Sequence, residues 1–212
     1  MKEYPKIETI YNRDENGSRK LIEGNFRNKT VSYLANNRWI CTEKIDGTNI
    51  GINWNGHNVL LQGRTEKAQI PSQLYKELVS LFCTEQAEEL FEQMFGEKKV
   101  ILFGEGYGNK IQKGHLYLND RCSFILFDVY IVDSDLWLER GAIEQIAKAF
   151  GIDVVPIIMT GTLYEAVEFV KSKPKSTIGT ADMEGLVCKP EVDMFDRQGK
   201  RIIVKVKVKD FC

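Results

Sequence analysis

The sequence predicts a mixed α+β fold in which mainly antiparallel sheets are flanked by helices. Three observations carry this. Short runs of β-branched and aromatic residues are punctuated by turn signals, as in Thr48 to Trp54 and Val59 to Gln62 around Asn55-Gly56. Apolar residues recur at helical spacing after Pro71 and after Glu139. Near the end, Ile203-Val-Lys205-Val-Lys207-Val-Lys209 alternates with the period of a strand.

Taken in order, Arg38 to Glu43 predicts a strand, the polar Lys44-Ile45-Asp46-Gly47 a loop, and Thr48 to Trp54 a second strand. Asn55-Gly56 then turns the chain, because both residues tolerate positive φ, and Val59 to Gln62 returns as a hairpin partner. Pro71 opens a helix with Leu74, Leu78, Val79 and Phe82 along its apolar side, and a second helix starts beyond Thr84 and stops at Gly96. Lys99 to Phe103 reads as a short strand ending in the glycine-studded Gly104-Glu105-Gly106-Tyr107-Gly108. Ser123 to Val132 reads as a strand buried except around Asp128. A helix from Glu139 to Phe150 closed by Gly151, a strand from Val154 to Met159, and a helix from Leu163 to Ser172 capped by Thr162 follow. After the polar loop Lys171 to Ser176 come two final strands, Met183 to Lys189 and Lys200 to Lys209. With no internal repeat or linker, 212 residues are expected to form a single domain over 1–212, although the length suffices for one large core or two small ones.

Composition narrows the class. Hydrophobic residues at 43% and charged ones at 28% exclude collagen-like and wholly disordered chains. No stretch reaches the ~20 apolar residues of a membrane span, since Asp128, Asp133 and Asp135 break the run from Ser123 to Trp137. The first 17 residues lack the apolar centre of a secretory leader, so no membrane association is expected. Five cysteines, odd in number and without a CxxC, argue against a disulfide framework or zinc ribbon and for a reduced, cytoplasmic setting. Two distant histidines leave no HExxH and few triads. A net charge of −1 gives no global field for nucleic acid, so any such site must be local.

Charged residues sit at the ends or on one face of apolar strands. Lys44 lies where a strand gives way to a turn, between Glu43 and Asp46; taken alone, it reads as a solvated turn residue. Glu105 stands between two glycines and Glu184 directly before Gly185. A neighbouring glycine allows close approach of a ligand or of backbone, while a tight turn with an exposed acid is the plainer reading. Lys205, Lys207 and Lys209 would share one strand face, ~7 Å apart, where like charges repel unless an anion such as a polyphosphate neutralises them. An amphipathic strand with a solvated face is the alternative. No GxxxxGK[ST] loop is present, and Gly104 to Gly108 is a weak dinucleotide match.

As an ordered set, Lys44-Ile-Asp-Gly-Thr-Asn49, Phe103-Gly-Glu105-Gly, Phe124-Ile-Leu-Phe127-Asp128-Val, Met183-Glu184-Gly-Leu-Val-Cys-Lys189-Pro and Val204-Lys205-Val-Lys207 resemble motifs I, III, IIIa, IV and V of the covalent nucleotidyltransferases. That superfamily holds RNA ligases, DNA ligases and messenger-RNA capping enzymes, and this set is most similar to the RNA ligase 2 type. The resemblance spans about residues 38 to 209 and implies an ATP-grasp-like nucleotidyltransferase domain. It implies that Lys44 attacks the α-phosphate of ATP, forming a lysyl-adenylate and expelling pyrophosphate. Lys205 and Lys207, with a bound Mg²⁺ or Mn²⁺, would favour the neutral amine of Lys44 and neutralise phosphate charge. By the same resemblance Arg64 contacts phosphate, Glu105 the ribose hydroxyls, and Phe127 stacks on adenine, unless it is an ordinary core aromatic. Glu184 serves metal binding, Asn49 the later sealing chemistry, and Glu43, Ile45 and Lys189 the nucleotide pocket.

The implied activity is transfer of AMP from Lys44 to the 5′-phosphate of an RNA, then sealing to a 3′-hydroxyl. A DNA ligase or GTP-using capping enzyme is the alternative among enzymes, and a non-catalytic nucleotide- or RNA-binding module the alternative outside them. One departure from the family stands out: the chain stops at Cys212, five residues beyond Lys207, without the OB-fold or helical domain these enzymes append. End recognition is then expected to fall to the catalytic domain itself or to a separate protein.

Overall fold

The computed structural model describes residues 2–17, 20–65 and 67–211. In chain order the strands and helices begin with β1 (Glu8–Thr9), β2 (Tyr11–Arg13), β3 (Leu21–Phe26), α1 (Lys29–Leu34), β4 (Trp39–Glu43), β5 (Thr48–Trp54), β6 (Val59–Gln62), α2 (Ser72–Phe82) and α3 (Glu85–Phe95). They continue with β7 (Val100–Gly108), β8 (Cys122–Ile131), β9 (Leu136–Trp137), α4 (Arg140–Phe150), β10 (Asp153–Val154), β11 (Ile157–Gly161), α5 (Leu163–Lys171), β12 (Gly185–Pro190) and β13 (Val204–Lys207). Two compact units result, Met1–Pro5 with Asp46–Val155 and Lys6–Ile45 with Pro156–Cys212.

The unit built on Asp46–Val155 is organised by a sheet in the order β10-β8-β7-β5-β6, with β9 beside β8. All its pairings are antiparallel except β10 with β8. The β5–β6 hairpin forms as expected. Gly56 has φ of 97°, and a Cβ there would lie 2.7 Å from the Glu97 carbonyl oxygen, so the turn admits only glycine. One face carries Ile50, Ile52, Leu102, Phe124 and Leu126, covered by Leu74, Leu78 and Phe82 of α2, Phe91 of α3 and Ile143 and Ile146 of α4. Thr84 caps α3 by accepting from the Ala87 amide, and Gly151 closes α4 in the left-handed conformation.

Two expectations for this unit are corrected. The strand begun at Lys99 does not stop before the glycines but runs through them to Gly108. Gly104 and Gly106 are there because the core needs the space: a Cβ would sit 2.3 Å from the Phe124 ring or 2.4 Å from Leu74. Asp128 is not the exposed point of its strand. It is wholly buried, and Phe127 and Ser123 are the partly exposed positions. The cause is a bulge: the β7–β8 register slips between Phe103–Asp128 and Gly104–Leu126, leaving Phe127 as the additional residue.

The other unit holds a sheet in the order β1-β13-β12-β4-β11, in which only β1 and β13 run parallel. Trp39, Cys41, Leu186, Cys188, Val204 and Val206 point to one side of it, against Val31 and Leu34 of α1 and Leu163, Val167 and Val170 of α5. A capping box between Thr162 and Glu165 starts α5, a device worth about 1 kcal/mol. The β2–β3 hairpin and α1, capped by Asn28, lie in a stretch where the sequence predicted no elements.

Here too the sequence reading needs correction. The strand expected from Val154 to Met159 is two strands, β10 and β11, in different sheets, because Pro156 interrupts the ladder. The strand expected from Lys200 to Lys209 is confined to β13, and Val208–Asp210 form a 3₁₀ turn, so Lys209 leaves the strand face shared by Lys205 and Lys207. Cys41, Cys83, Cys122 and Cys188 are free thiols, and Cys212 lies outside the described residues. Among the described residues no helix is long and apolar enough to cross a membrane.

Candidate active site

Lys44 directly follows β4, and its amide donates to the Gly185 carbonyl at 2.9 Å, which extends the β4–β12 ladder by one bond. That bond fixes the lysine beside the residue preceding β12. Its Nζ donates to Glu184 Oε2 at 2.7 Å, and Glu184 Oε1 lies 3.9 Å from Lys207 Nζ. One carboxylate thus bridges two ammonium groups. Glu184 is held from behind as well, its carbonyl accepting from the Val208 amide at 2.9 Å. Gly185 has φ of 154°, and a Cβ there would lie 2.1 Å from the Val206 carbonyl oxygen. The close approach that the glycine permits is therefore that of β13, which brings Lys207 to Glu184.

Lys205 and Lys207 alternate with the core valines, so they lie on the face away from the apolar core, together with Val187, Lys189, Thr42 and Ile40 of the neighbouring strands. Burial lowers the pKa of Lys207, the Lys209 ammonium lowers it further, and Glu184 opposes the shift. With Lys44, Lys205 and Lys207 against Glu184, the cluster is net positive in a partly desolvated place, as a polyphosphate requires.

Glu43 does not lie open on this face. It is 1% exposed, and its carboxylate accepts from the Ser176 and Thr177 hydroxyls and from the Thr177 amide at 3.0 Å. It anchors the segment after α5 to the residue next to Lys44, a contact between positions 134 residues apart that no local pattern announces. Ile45, likewise buried, ends this part of the unit.

The remaining candidates belong to the other unit. Asp46 donates its amide to the Tyr117 hydroxyl at 3.2 Å, and Gly47 packs so close to β7 that a Cβ would lie 2.3 Å from the Gly106 carbonyl oxygen. Asn49 and Glu105 are register partners on β5 and β7. They share the sheet face opposite the helices with Phe103 and with Phe127, which packs on the cluster of Ile101, Phe103 and Tyr130. Arg64 is exposed two residues beyond β6. The structure therefore gathers Lys44, Glu184, Lys205, Lys207 and Lys189 in one unit and Asn49, Glu105 and Phe127 on one sheet face of the other.

Among the described residues no group of three or more histidine, cysteine, aspartate or glutamate side chains could form a metal cage. Glu184 alone still fits Mg²⁺ or Mn²⁺ carried by phosphates, since such ions take one or two carboxylates plus phosphate oxygens and water.

The sheets and helices are those of an RNA ligase nucleotidyltransferase domain. Residues 37–207 match the RNA ligase family, and the chain belongs to it. Structures of Naegleria gruberi RNA ligase share the fold. A mutant without ligand matches with a TM-score of 0.65 at 18% identity over 97% of this chain and 57% of that one. A mutant with ATP and Mn matches at 0.64 and 18% over 99% and 64%, and the ligase with PPi at 0.63 and 19% over 98% and 62%. The chain spans about three fifths of those structures' length. No curated protein matches it.

Proposed function

We propose that the chain performs the nucleotidyl transfer of an ATP-dependent RNA ligase. The observation that carries this reading is the Lys44–Glu184–Lys207 cluster, one lysine on the motif loop and one on β13 tied by a single carboxylate. Lys44 Nζ attacks the α-phosphorus of ATP; the N–P bond forms, the bond to the β-phosphate oxygen breaks, and pyrophosphate leaves. In the salt-bridged form the nitrogen has no free lone pair, so it must first shed a proton. Lys205 and Lys207 hold the phosphates, and Arg64 adds a further contact. Glu105 takes the ribose, Phe127 stacks on adenine, and Ile45 and Lys189 complete the nucleotide contacts. Glu43 acts by fixing the strand end that carries Lys44. A divalent cation held by Glu184 and the phosphates neutralises charge on them when bound. Structures of the Naegleria ligase with ATP, AMP or PPi, several of them with Mn, support this set of ligands.

AMP then passes from Lys44 to the 5′-phosphate of an RNA, and a 3′-hydroxyl displaces it, with Asn49 assisting the sealing step. Incubation with α-labelled ATP and Mg²⁺ or Mn²⁺, followed by denaturing electrophoresis, tests the reading. The unmodified chain should carry covalent label, whereas Lys44→Ala should carry none while keeping its fold. Lys44→Arg should fail too, because a guanidinium stays protonated. Label from GTP in preference to ATP, or sealing of DNA ends in preference to RNA, would move the protein to another branch of the superfamily.

A further inference from the structure

The bulge in β8 leaves Phe127 outside the regular register, so the ladder does not orient its side chain. Beyond the cluster of Ile101, Phe103 and Tyr130, support comes from the first residues of the chain. Tyr4 stands edge-on to Phe127, with ring centroids 4.9 Å apart at 72°, and its hydroxyl donates to Asp128 Oδ2 at 2.6 Å. One side chain therefore holds both residues of the bulge. Asp128 is fully buried, where a carboxylate depends on such donors.

Tyr4 is itself fixed. The rings of Phe103 and Trp137 lie 5.1 Å and 5.5 Å away, both edge-on. The segment is tied at Lys2, whose carbonyl accepts from Gln62 Nε2 at 3.0 Å and whose ammonium lies 3.6 Å from the Tyr130 ring centroid and 3.3 Å from Asp135.

We propose that Tyr4 is a positioning residue for the nucleotide base: by clamping both residues of the β8 bulge it fixes the ring of Phe127 for stacking. This rests on Phe127 being the surface that adenine stacks on. Tyr4 touches none of the reacting atoms. Its loss frees the Phe127 ring and weakens base binding, yet leaves the Lys44–Glu184–Lys207 cluster and its hold on phosphate intact.

Calorimetry on the full chain tests this with two probes. One is an ATP analogue with a methylene between the α- and β-phosphorus, which cannot transfer AMP; the other is inorganic tripolyphosphate. Tyr4→Ala should weaken the analogue by roughly three- to tenfold, the size of one lost edge-to-face contact, with tripolyphosphate affinity unchanged. Tyr4→Phe, which keeps the ring and serves if the alanine variant folds poorly, should lose less. Tyr4→Ala combined with Phe127→Ala should bind the analogue no more weakly than Phe127→Ala alone. Equal weakening of both probes, additive losses, or an unchanged analogue affinity in Tyr4→Ala would overturn the assignment while leaving the adenine-stacking role intact, provided Phe127→Ala still weakens the analogue. If Phe127→Ala has no effect, the stacking surface itself is wrong and the role of Tyr4 falls with it.

Discussion

Glu184 is the residue on which most depends, because it faces two lysines at once. Replacing it with glutamine keeps its shape and removes its charge, so Lys44 loses its ionic partner and, on the proposed reading, a phosphate-borne cation loses its carboxylate. Loss of the ion pair eases deprotonation of Lys44, so it is loss of the charge-assisted contact to the cation, worth roughly 1.5–3 kcal/mol, that should slow labelling of Glu184→Gln by about tenfold or more and shift the Mg²⁺ dependence. A metal titration of the labelling rate reads this, and an unchanged response would remove the metal role. Lys207 gives a pH signature. Burial first, and then Lys209, lowers its folded pKa below the ordinary 10.5, against the pull of Glu184. Between that lowered value and 10.5 the unfolded chain binds more protons than the folded one, so this residue's contribution to stability rises as pH rises through the window. Urea midpoints for the unmodified chain and Lys207→Gln, taken from about pH 8 upward, should diverge in favour of the unmodified chain.

At the level of elements, glycines of one sequence type divide into opposite kinds. A methyl at Gly185 would meet the Val206 carbonyl at 2.1 Å in a backbone with φ of 154°, whereas one at Gly141 in α4 would meet nothing within 4 Å. Gly185→Ala should cost about 2–3 kcal/mol and separate Glu184 from Lys207, while Gly141→Ala should stabilise by about 0.5–1 kcal/mol. Denaturant unfolding checks both. The elements legible in the sequence were those whose signals are local: Asn55-Gly56 between two alternating runs, Thr84 and Gly96 at the ends of α3, and Thr162 before α5. Those missed depend on distant partners. β1 is two residues long and exists through β13, and Phe127 is partly exposed by a register slip that appears only once β8 meets β7. The motif residues of the site could be read because, in order, they resemble the motifs of a known family; spacing within a strand accounts only for Lys205 and Lys207 sharing a face. Ser176 and Thr177 on Glu43, and Tyr4 on the bulge, could not, since nothing near them in sequence announces the contact.

Across the whole molecule, charge is unevenly placed, and this bears on how the proposed RNA substrate would be held. The chain carries −1 overall, yet six basic and two acidic residues fall in its last 17 positions. The structure shows several of these engaged: Arg201 is buried and 3.7 Å from Asp193, Lys200 lies 3.6 Å from Glu8, and Lys207 faces Glu184. Within this segment few cations remain for a polynucleotide once Lys205 and Lys207 serve a nucleotide, as proposed. Single-stranded RNA should bind weakly, with a log–log salt slope no steeper than about −2, corresponding to three phosphates at roughly −0.7 each. A titration at several salt concentrations measures it, and tight binding that ignores salt would reveal a recognition surface of another kind.

The strand order has a further consequence for synthesis. Thr42 and Val187 are register partners although 145 residues separate them, and β1 pairs with β13, the last strand. As the chain leaves the ribosome, Asp46–Val155 can fold as a contiguous stretch while β4 waits for neighbours not yet made. Lys44 acquires Glu184 and Lys207 only after translation has passed β13, so the nascent chain lacks the assembled lysine–glutamate cluster. Closure of that late, long-range sheet is the step expected to set the folding rate.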